Sequence, residues 1–237
     1  MQYLFVLPVF NEAENIARLC EDLYSQIPES SFLIWINDGS TDETKTNIKT
    51  HCKIPYHLIS FPKNQGPGAA FQAGFDYIVS QSFPSETLVI TLETDNTSDL
   101  STLSPLLENA GTNDLVLASV YADGGSFDQT NTFRLAVSYL ANFAVKLRFG
   151  LKQQTLTSFY RVYRLSLLQN IKQCFGAFCH EKGFICKIEL LVKANNLKAK
   201  IAEVPTTLRS SRRKGVSKMK VLKTGWECVR FCLKEIS

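Results

Sequence analysis

The sequence predicts an α/β protein in which a mostly parallel central sheet carries helices on both faces. Two observations point to this fold class. Short, continuous apolar runs of strand length alternate with longer stretches whose apolar residues recur at helical spacing. Continuous apolar runs are typical of parallel strands, because such strands are buried on both faces. The strand–helix alternation then favours right-handed crossovers and a sheet covered above and below by helices.

Five strands can be placed in the first half of the chain. They are predicted at residues 3–7, 32–36, 56–61, 87–92 and 115–119. Pro8 is expected to end the first of them, since proline lacks the N–H that a ladder needs. Ligands of open α/β sheets bind outside the carboxyl ends of the strands. The residues that directly follow each strand are therefore the candidates for function.

Helices are predicted between these strands and in the second half of the chain. One begins after Asn11, and another follows the turn at residues 38–40, with Ser40 or Thr41 as its expected cap. A third covers residues 66–80 behind a glycine-rich loop, which fits either a nucleotide contact or helix–sheet packing. Residues 133–149 and 219–236 read as basic amphipathic helices. They fit a lipid interface, but also packing on the sheet or at a dimer interface.

Composition narrows the functional classes. The chain has 237 residues and a formal net charge of only +4, which argues against a nucleic-acid binder. Seven irregularly spaced cysteines suggest reduced thiols in a cytosolic compartment. The N-terminus lacks the features of a signal peptide, and no apolar run reaches the roughly 18–20 residues that span a bilayer. We therefore expect a cytoplasmic protein whose contact with a membrane is peripheral.

The fourth predicted strand runs directly into two carboxylates, Glu93 and Asp95. Residues at positions i and i+2 of an extended chain share one face. Together with the hydroxyl of Thr97, these oxygens suit a hard divalent cation such as Mg²⁺ or Mn²⁺. Such an ion would neutralise the charge on a departing diphosphate. On spacing alone, two solvated acids in a turn remain an equally open interpretation.

Four motifs together resemble those of family 2 glycosyltransferases. Residues 7–16 (LPVFNEAENI) resemble the opening of that family, and residues 37–42 (NDGSTD) resemble its DDGSTD segment. Residues 93–95 (ETD) resemble the DxD metal motif. The EVP at 203–205 and the RRKGVSK at 212–218 resemble the EVP…RxxGxSK stretch of dolichyl-phosphate mannose synthases and their bacterial polyprenyl-phosphate relatives. The resemblance covers nearly the whole chain, with the motifs in the family's order.

The resemblance implies a GT-A (Rossmann-like) fold and a single catalytic domain over residues 1–237. Residues 1–130 would bind the nucleotide sugar, and residues 131–237 would face the acceptor and the membrane. The implied nucleotide-sugar contacts are Pro8, Phe10, Glu12, Ile36, Asp38, Thr94, Asp95, Arg212 and Lys218. Of these, Asp95, Arg212 and Lys218 are also implied to be catalytic. The implied ligands of Mg²⁺ or Mn²⁺ are Glu93, Asp95 and Thr97, and the implied acceptor contacts are Arg134, Ser138 and Asn142.

The implied reaction is an inverting transfer of mannose or another hexose from a GDP- or UDP-sugar to a polyprenyl (dolichyl or undecaprenyl) phosphate. A phosphate monoester has a second pKa near ~6, so at neutral pH it can attack without a strong general base. The implied location is the cytoplasmic face of a membrane. A separate membrane-spanning partner subunit remains open, and no nucleic acid is expected as a partner.

Five residues depart from the family pattern. Asn37 replaces the first Asp of DDGS, Glu93 the first Asp of DxD, and Val120 the Arg of SxRY. Thr155 replaces the Asp before TSGFR, and Tyr139 the second Arg of RxxxSRGAN. These departures leave open a hydroxyl acceptor, which would need a general base, and a non-catalytic nucleotide-sugar-binding subunit. A nucleotide-dependent oxidoreductase is disfavoured, because no G-x-G-x-x-G follows the first strand.

Overall fold

The computed structural model describes residues 1–129, 142–215 and 221–234. The strands are β1 (Tyr3–Val9), β2 (Ser31–Asn37), β3 (Tyr56–Ser60), β4 (Leu88–Thr91), β5 (Leu115–Ser119), β6 (Ser126–Phe127), β7 (Arg161–Arg164), β8 (Ile201–Pro205) and β9 (Thr207–Leu208). The helices are α1 (Ala13–Gln26), α2 (Thr44–His51), α3 (Pro67–Ser80), α4 (Leu103–Asn109), α5 (142–149), α6 (Leu165–Phe175), α7 (Cys186–Asn196) and α8 (Val221–Cys232).

The central sheet has seven strands in the order β3-β2-β1-β4-β7-β5-β8. Its strands run parallel except for β7, which is antiparallel to both β4 and β5. The prediction of a mostly parallel sheet is therefore confirmed. The sequence analysis did not predict β7, because its four residues, RVYR, begin and end with arginine. Arg161 is nevertheless buried, and its guanidinium donates to the main-chain oxygens of Ser158, Leu156 and Lys187.

Helices cover both faces of the sheet, as predicted. Successive residues of a strand point to opposite faces, so Leu4 and Val6 of β1 join one apolar cluster and Phe5 and Leu7 the other. The first cluster contains residues of α3, α6 and α7, and the second contains residues of α1, α2 and α4. The apolar face of each helix is thus buried against the sheet, which fixes the strand ends in place.

Two local predictions were wrong. Pro8 does not end β1, which continues to Val9. Strand β4 pairs with β1 only as far as Val6, so Pro8 has a hydrogen-bonded neighbour strand on one side alone, and a proline is tolerated there. Neither Ser40 nor Thr41 caps α2, which begins at Thr44. Asp42 supports that start instead, because its Oδ1 accepts hydrogen bonds from the main-chain N (3.0 Å) and hydroxyl (2.5 Å) of Thr44.

The two amphipathic segments lie only partly within the described residues. Of the helix predicted at 133–149, residues 142–149 form α5, and residues 133–141 lie outside the described part. Helix α8 falls within the predicted range 219–236. The two helices are neighbours, since Phe149 and Phe231 have ring centroids 5.3 Å apart and the Nε of Arg148 donates to the Cys232 carbonyl at 3.0 Å. That they meet a membrane stays a prediction.

Candidate active site

A cavity of about 780 Å³ lies where the carboxyl ends of β1, β2 and β4 meet. One side is lined by residues at or just after these strand ends, namely Pro8, Phe10, Glu12, Asp38, Glu93, Thr94, Asp95 and Thr97. The opposite side is built by residues of α5, α7, α8 and β9. Most of the side chains predicted from the strand ends are therefore brought together in one cavity, at the position where open α/β sheets bind ligands.

Asp95 is a carboxylate of this cavity that faces a positive group. Its Oδ2 accepts a hydrogen bond from the Nε of Arg213 at 2.7 Å and a second from a terminal nitrogen of the same guanidinium. Its Oδ1 accepts from the main-chain N of Thr97 at 3.2 Å and from the Thr97 hydroxyl at 2.6 Å. Thr97 thus orients the carboxylate, and Oδ2 presents its charge to a cation.

Glu93 also lines the cavity, but its carboxylate is tied to the protein on both oxygens. Oε1 accepts from the main-chain N of Phe159 at 3.1 Å, and Oε2 accepts from the hydroxyl of Ser98. Glu93 thereby connects the end of β4 to the segment that enters β7. The two acids that the sequence placed together therefore have different surroundings, and Asp95 alone of the pair carries an ionic partner among the described residues.

The segment 209–215, which we call the basic loop, lies over this acidic strand end. Arg209 donates two hydrogen bonds to Oδ2 of Asp99, at 3.0 and 2.7 Å. Lys214 is held through its main chain, because the amide of Asn15 donates to its carbonyl and accepts from its N–H, both at 3.1 Å. Asn15 is buried at the start of α1. These contacts dock the basic loop against the cavity.

The two cations predicted to contact the diphosphate, Arg212 and Lys218, have different outcomes. Arg212 is not among the residues that line it, and Lys218 lies outside the described residues. Arg213 lines the cavity instead and reaches Asp95. The sequence contained the signal, a cluster of cations that includes Arg213, but the family motif directs attention to the preceding residue.

The predicted nucleotide side is assembled with one correction. The hydroxyl of Thr94 donates to the Pro8 carbonyl at 2.9 Å, which joins the ends of β4 and β1. Phe10 and Glu12 line the cavity on the same side. Ile36 does not: its side chain is fully buried in the core beside Gly74 of α3. The alternation of strand side chains directs it away from the cavity, so its assignment as a nucleotide contact was wrong for the side chain.

Asp38 links the end of β2 to the glycine-rich loop. Its carboxylate accepts from the main-chain N–H groups of Gln65 at 2.7 Å and Gly66 at 2.9 Å. Burial raises the pKa of Asp38, although these two donors lower it in part. A Cβ added to Gly68 would lie 1.8 Å from the carbonyl oxygen of Glu181, so this glycine permits close approach of another backbone segment. The loop therefore has a packing role, while Asn64 and Pro67 line the cavity.

The acceptor side is described in part. Asn142 of α5 is buried and lines the cavity, whereas Arg134 and Ser138 lie outside the described residues. Thr155, the residue that replaces the family's Asp, lines the cavity too and shares a 2.8 Å hydrogen bond with the Ser119 hydroxyl. Glu203 of the EVP motif fixes this segment, because its carboxylate accepts from the main-chain N of Thr155 at 2.8 Å and from that of Gln154 at 2.7 Å.

The polar residues of the cavity wall that sequence reasoning missed include Lys187 of α7 and Tyr160. Tyr160 is 2% exposed, and its hydroxyl has no hydrogen-bond partner among the described residues. Burial raises the pKa of Tyr160, and the charges of Asp99 and Glu93 raise it further, so the phenol stays neutral and keeps its proton to donate. Lys187 lies in a segment with a strong apolar pattern, and Tyr160 directly precedes the unpredicted β7, so neither gave an indication of a site.

The model of one protein family matches most of this chain. The description of the family is glycosyl transferase family 2, and the match runs over residues 4–172. That range includes β1 to β5, the acidic strand end and β7. The chain belongs to glycosyl transferase family 2. It is accordingly a glycosyltransferase, and the fold and family expected from the four motifs are confirmed.

Curated relatives of this family 2 glycosyltransferase include two bacterial enzymes. The polyprenol monophosphomannose synthase of Mycolicibacterium smegmatis is 29% identical over 221 residues, which are 91% of this chain and 80% of the relative. The undecaprenyl-phosphate mannosyltransferase of Micrococcus luteus is 28% identical over 221 residues, which are 92% of this chain and 88% of the relative. Both alignments extend past the family match, into the region that holds α7, β8 and the basic loop.

Solved structures support the GT-A fold. Glucosyl-3-phosphoglycerate synthase from Mycobacterium tuberculosis in complex with phosphoglyceric acid has a TM-score of 0.71 and 16% identity, covering 98% of this chain and 79% of that chain. The same enzyme in complex with Mn²⁺, UDP-glucose and phosphoglyceric acid has a TM-score of 0.69 and 18% identity, covering 98% and 78%. At such identities the likeness establishes the fold alone.

The donor set of this family 2 site fits a divalent cation. Among the described residues, no group of three or more His, Cys, Asp or Glu side chains is placed so that it could hold a metal ion. Mg²⁺ does not need one, because it is usually bound by one or two carboxylates together with substrate phosphates and water. Asp95 offers such a carboxylate, oriented by Thr97 and already facing the charge of Arg213. Whether Glu93 and Thr97 act as ligands themselves stays a prediction.

Proposed function

We propose that this glycosyltransferase transfers mannose or another hexose, with inversion, from a GDP- or UDP-sugar to a polyprenyl phosphate at a membrane surface. The observation that carries the proposal is the continuity of the cavity. A single cavity reaches from the acidic strand end to Thr224, Gly225 and Cys228 of α8. Its two sides thus suit the two substrates. The diphosphate of the donor would lie at the sheet, and the lipid acceptor would lie beside the helices. The names of the two mannosyltransferase relatives support the same choice.

The outer face of α8 supports a lipid acceptor. Trp226, Val229 and Leu233 follow one another at helical spacing and are 66%, 52% and 82% exposed. Phe143 and Leu147 of the neighbouring α5 are 66% and 77% exposed. Two adjacent helices therefore combine an exposed apolar surface with residues that line the cavity. Such a surface can lie in the lipid interface, which would bring the cavity to the membrane. No described helix is long and apolar enough to cross a bilayer.

Basic side chains accompany these exposed apolar residues. Arg148 of α5 and Arg230 of α8 are exposed, and Lys234 follows at the end of α8. Cations beside an apolar surface are attracted to anionic lipid headgroups. We propose that α5 and α8 hold the protein on the cytoplasmic face of a membrane. If a separate membrane-spanning subunit were required, the pure chain would show no transfer.

The proposed chemistry is one in-line displacement. A phosphate oxygen of the acceptor forms a bond to the anomeric carbon, and the bond from that carbon to the nucleoside diphosphate breaks, with its electron pair leaving on the diphosphate. Because the acceptor phosphate is largely dianionic at neutral pH, positioning and charge compensation replace a general base. A single displacement inverts the anomeric configuration. Retention of configuration in the product, measured by NMR, would contradict this mechanism.

The chain's own residues have distinct proposed tasks. Phe10, Glu12 and Asp38 would surround the nucleoside, while Asp95 with the diphosphate oxygens would hold Mg²⁺ or Mn²⁺. The ion, when bound, would compensate the charge that builds on the leaving group. Arg213 would turn from Asp95 to the diphosphate, since guanidinium and phosphate make bidentate pairs. Arg212 and Lys218 remain proposed contacts of the same group, and Arg134, Ser138 and Asn142 proposed contacts of the acceptor.

A phase-partition assay tests the proposal directly. The purified chain is incubated with Mn²⁺ or Mg²⁺, a short polyprenyl phosphate, and radiolabelled GDP-mannose, UDP-glucose, UDP-galactose or UDP-N-acetylglucosamine in parallel. We expect label from one donor to enter the organic phase, and EDTA to abolish that transfer. The donor that transfers identifies both the sugar and the base. A matched incubation with the unphosphorylated polyprenol should give no labelled lipid.

Other results would redirect the proposal. Label transferred to the polyprenol but not to its phosphate would indicate a hydroxyl acceptor. Nucleotide-sugar binding with no transfer from any donor would contradict an autonomous enzyme and favour a missing partner subunit or a non-catalytic chain. Flotation with anionic vesicles separates the membrane from the chemistry. Replacing Trp226 and Leu233 by Ser should weaken vesicle binding, because it removes exposed apolar area, without reducing transfer to a detergent-soluble acceptor.

A further inference from the structure

Lys187 is a positively charged residue inside the cavity that no family motif assigns. It lies in the first turn of α7, is only 6% exposed and lines the cavity wall. Among the described residues that line this cavity, the cationic side chains are Lys187 and Arg213, against the acids Glu12, Asp38, Glu93 and Asp95. Arg213 is committed to Asp95 at the acidic strand end. Lys187 supplies the positive charge on the other side.

The contacts of Lys187 fix the position of its charge. Its Nζ donates to the main-chain carbonyl of Thr157 and stands 3.8 Å from the ring centroid of Phe159, with the Phe184 ring at 5.4 Å. An ammonium over aromatic faces is attracted by the ring quadrupole, which partly replaces the water that burial removes. Aromatic residues and a carbonyl thus hold the cation at a defined point of the wall rather than on a flexible surface arm.

Phe159 places this charge next to the proposed transfer site. Its main-chain N donates to Oε1 of Glu93 at 3.1 Å, and its ring contacts the ammonium of Lys187. One residue therefore connects the acidic strand end with Lys187. The charge of Lys187 lowers the pKa of Cys228 in part, so the ammonium lies near α8, whose Cys228 also lines the cavity. We expect the acceptor to enter from this side.

An acceptor phosphate entering this cavity needs compensating charge. Four carboxylates line the cavity, and a phosphate monoester brings up to two more negative charges. Val120, which lines the cavity where the resembled family has an arginine, offers none. We propose that Lys187 binds the phosphate group of the acceptor and holds it in position to attack the anomeric carbon. The inference rests on the proposed function, since it assigns the acceptor's phosphate to a residue of this chain.

The test compares three proteins: the unsubstituted chain, Lys187→Met and Lys187→Arg. Methionine keeps the length and apolar contacts of the side chain, and arginine keeps its charge. Lys172→Met is the matched control, because Lys172 also stands over a ring, that of Phe178 at 5.7 Å, but does not line the cavity. Binding of a short polyprenyl phosphate, of the polyprenol and of inorganic phosphate is measured by calorimetry in detergent. Steady-state kinetics then give KM for donor and acceptor separately.

We expect Lys187→Met to weaken polyprenyl phosphate binding and to raise the acceptor KM by about tenfold or more, as loss of a charge-assisted hydrogen bond does. The donor KM should change less than about twofold, because the substitution removes no contact to the donor. Lys187→Arg should restore most of the affinity. Weak binding of the polyprenol to all proteins would show that the phosphate is recognised. Binding of inorganic phosphate as tight as that of the lipid would point to an anion site without lipid selectivity and contradict the inference.

The failures are distinguishable. An unsubstituted chain that binds nucleotide sugar but not polyprenyl phosphate would overturn the proposed function and this inference with it. A chain that binds the lipid, with Lys187→Met binding it equally well, would overturn only the role of Lys187. A rise in the donor KM equal to that in the acceptor KM would instead assign Lys187 to the diphosphate. Circular dichroism and the melting temperature confirm that each variant is folded. If Lys187→Met is not folded, the role of Lys187 is decided from the kinetics and binding of Lys187→Arg.

Discussion

Two carboxylate–cation pairs in this molecule have the same chemistry and opposite surroundings. Glu189 and Lys193, one turn apart on α7, form a pair at 2.7 Å whose side chains are 3% and 0% exposed. Glu189 also accepts from the main-chain N–H groups of His180 and Glu181, each at 2.9 Å. Lys193 also donates to the carbonyls of Ala177 and Phe178, at 2.9 and 3.1 Å. The described contacts of this pair are all made within the protein, and they include the ring of the exposed His180, whose Nδ1 lies 2.9 Å from Oε1 of Glu189.

Asp95 and Arg213 form the other pair, and it faces the cavity. The two side chains are 15% and 22% exposed, and they come from segments 118 residues apart. Arg213 belongs to the basic loop, which is held to the body by hydrogen bonds of Arg209 and Lys214. We therefore expect that the partner of Asp95 can be exchanged for another cation without disturbing the sheet.

The difference separates an ion pair that maintains structure from one that is available for chemistry. Buried pairs are satisfied on all sides, so removing one member leaves an uncompensated charge. Glu189 and Lys193 organise residues 177–181, and the neighbouring carbonyl of Lys182 accepts a hydrogen bond from Gly68 at 2.9 Å. At Asp95 the charge is compensated by Arg213, a residue of the basic loop that we propose is replaceable. Substitutions at the two pairs should therefore change different observables.

Asp95→Asn should give the largest effect on activity. It removes the carboxylate proposed to hold the metal, and we expect kcat/KM to fall about a thousandfold, since metal stabilisation of a leaving group contributes several kcal/mol. Stability should change by about 1 kcal/mol or less, because the pair is partly exposed. Asp22→Asn on α1, which removes an exposed partner of Arg18, is the matched control and should retain full activity. Transfer by Asp95→Asn within tenfold of the unsubstituted chain would contradict the role of Asp95.

Glu189→Gln should lower stability and leave the chemistry of the folded protein intact. Removal of one member of a buried pair costs about 3–5 kcal/mol of unfolding free energy, here because Lys193 keeps its charge without its carboxylate. Urea unfolding measures the loss. Replacing both residues by Met should cost less than Glu189→Gln alone, because no buried charge remains. The folded fraction should still transfer sugar. A variant that is fully stable but inactive would show that Glu189 acts in the chemistry and would remove the distinction between the pairs.

Arg213→Met tests whether Arg213 holds the place of a cation. Without its resident partner, Asp95 should bind Mn²⁺ more tightly in the absence of nucleotide, by about tenfold if the lost competition is worth about 1.4 kcal/mol. Electron paramagnetic resonance of free Mn²⁺ reports this without turnover. The donor KM should rise in the same variant, since a diphosphate contact is lost. Arg212→Met, one residue away and not at the cavity, should leave Mn²⁺ affinity unchanged. Equal affinities for Arg213→Met and the unsubstituted chain would contradict competition at Asp95.

The sequence predicted the part of this molecule in which an apolar pattern marks the strands and the functional residues directly follow them. Buried parallel strands have continuous apolar runs, so β1 to β5 and the acids that follow β4 could be placed within one or two residues. Ligand sites of α/β sheets lie at strand ends, which led directly to Asp38 and Asp95. Strand β7 was not predicted, because its buried Arg161 is stabilised in part by the carbonyl of Lys187, 26 residues away. No local pattern can indicate such long-range contacts.

The same reasoning explains where the described site differs from the predicted one. Ile36 lies beside the predicted pocket in sequence, but the alternation of strand side chains sends it into the core. Arg212 and Arg213 are indistinguishable by composition, and only the path of the basic loop decides which one reaches Asp95. Lys187 sits in an apolar helix, where its charge has no periodic partner. Residues that depend on how two distant segments meet require the structure.

The smallest expected effect distinguishes the pairs by pH. Burial alone would raise the pKa of Glu189, but hydrogen bonds from Lys193, Glu181 and His180 lower it overall. A carboxyl whose folded pKa is depressed stabilises the fold above its unfolded pKa, about 4.3 for glutamate, and loses that contribution as pH falls through the folded value. The unfolding free energy of the unsubstituted chain, measured with urea, should therefore fall below about pH 4. The loss should be about 1.4 kcal/mol per unit of difference between the folded and unfolded pKa. Glu189→Gln has no such group, so its deficit should shrink on acidification. A deficit that stays constant from pH 7 to pH 3 would contradict an ionised, internally satisfied Glu189.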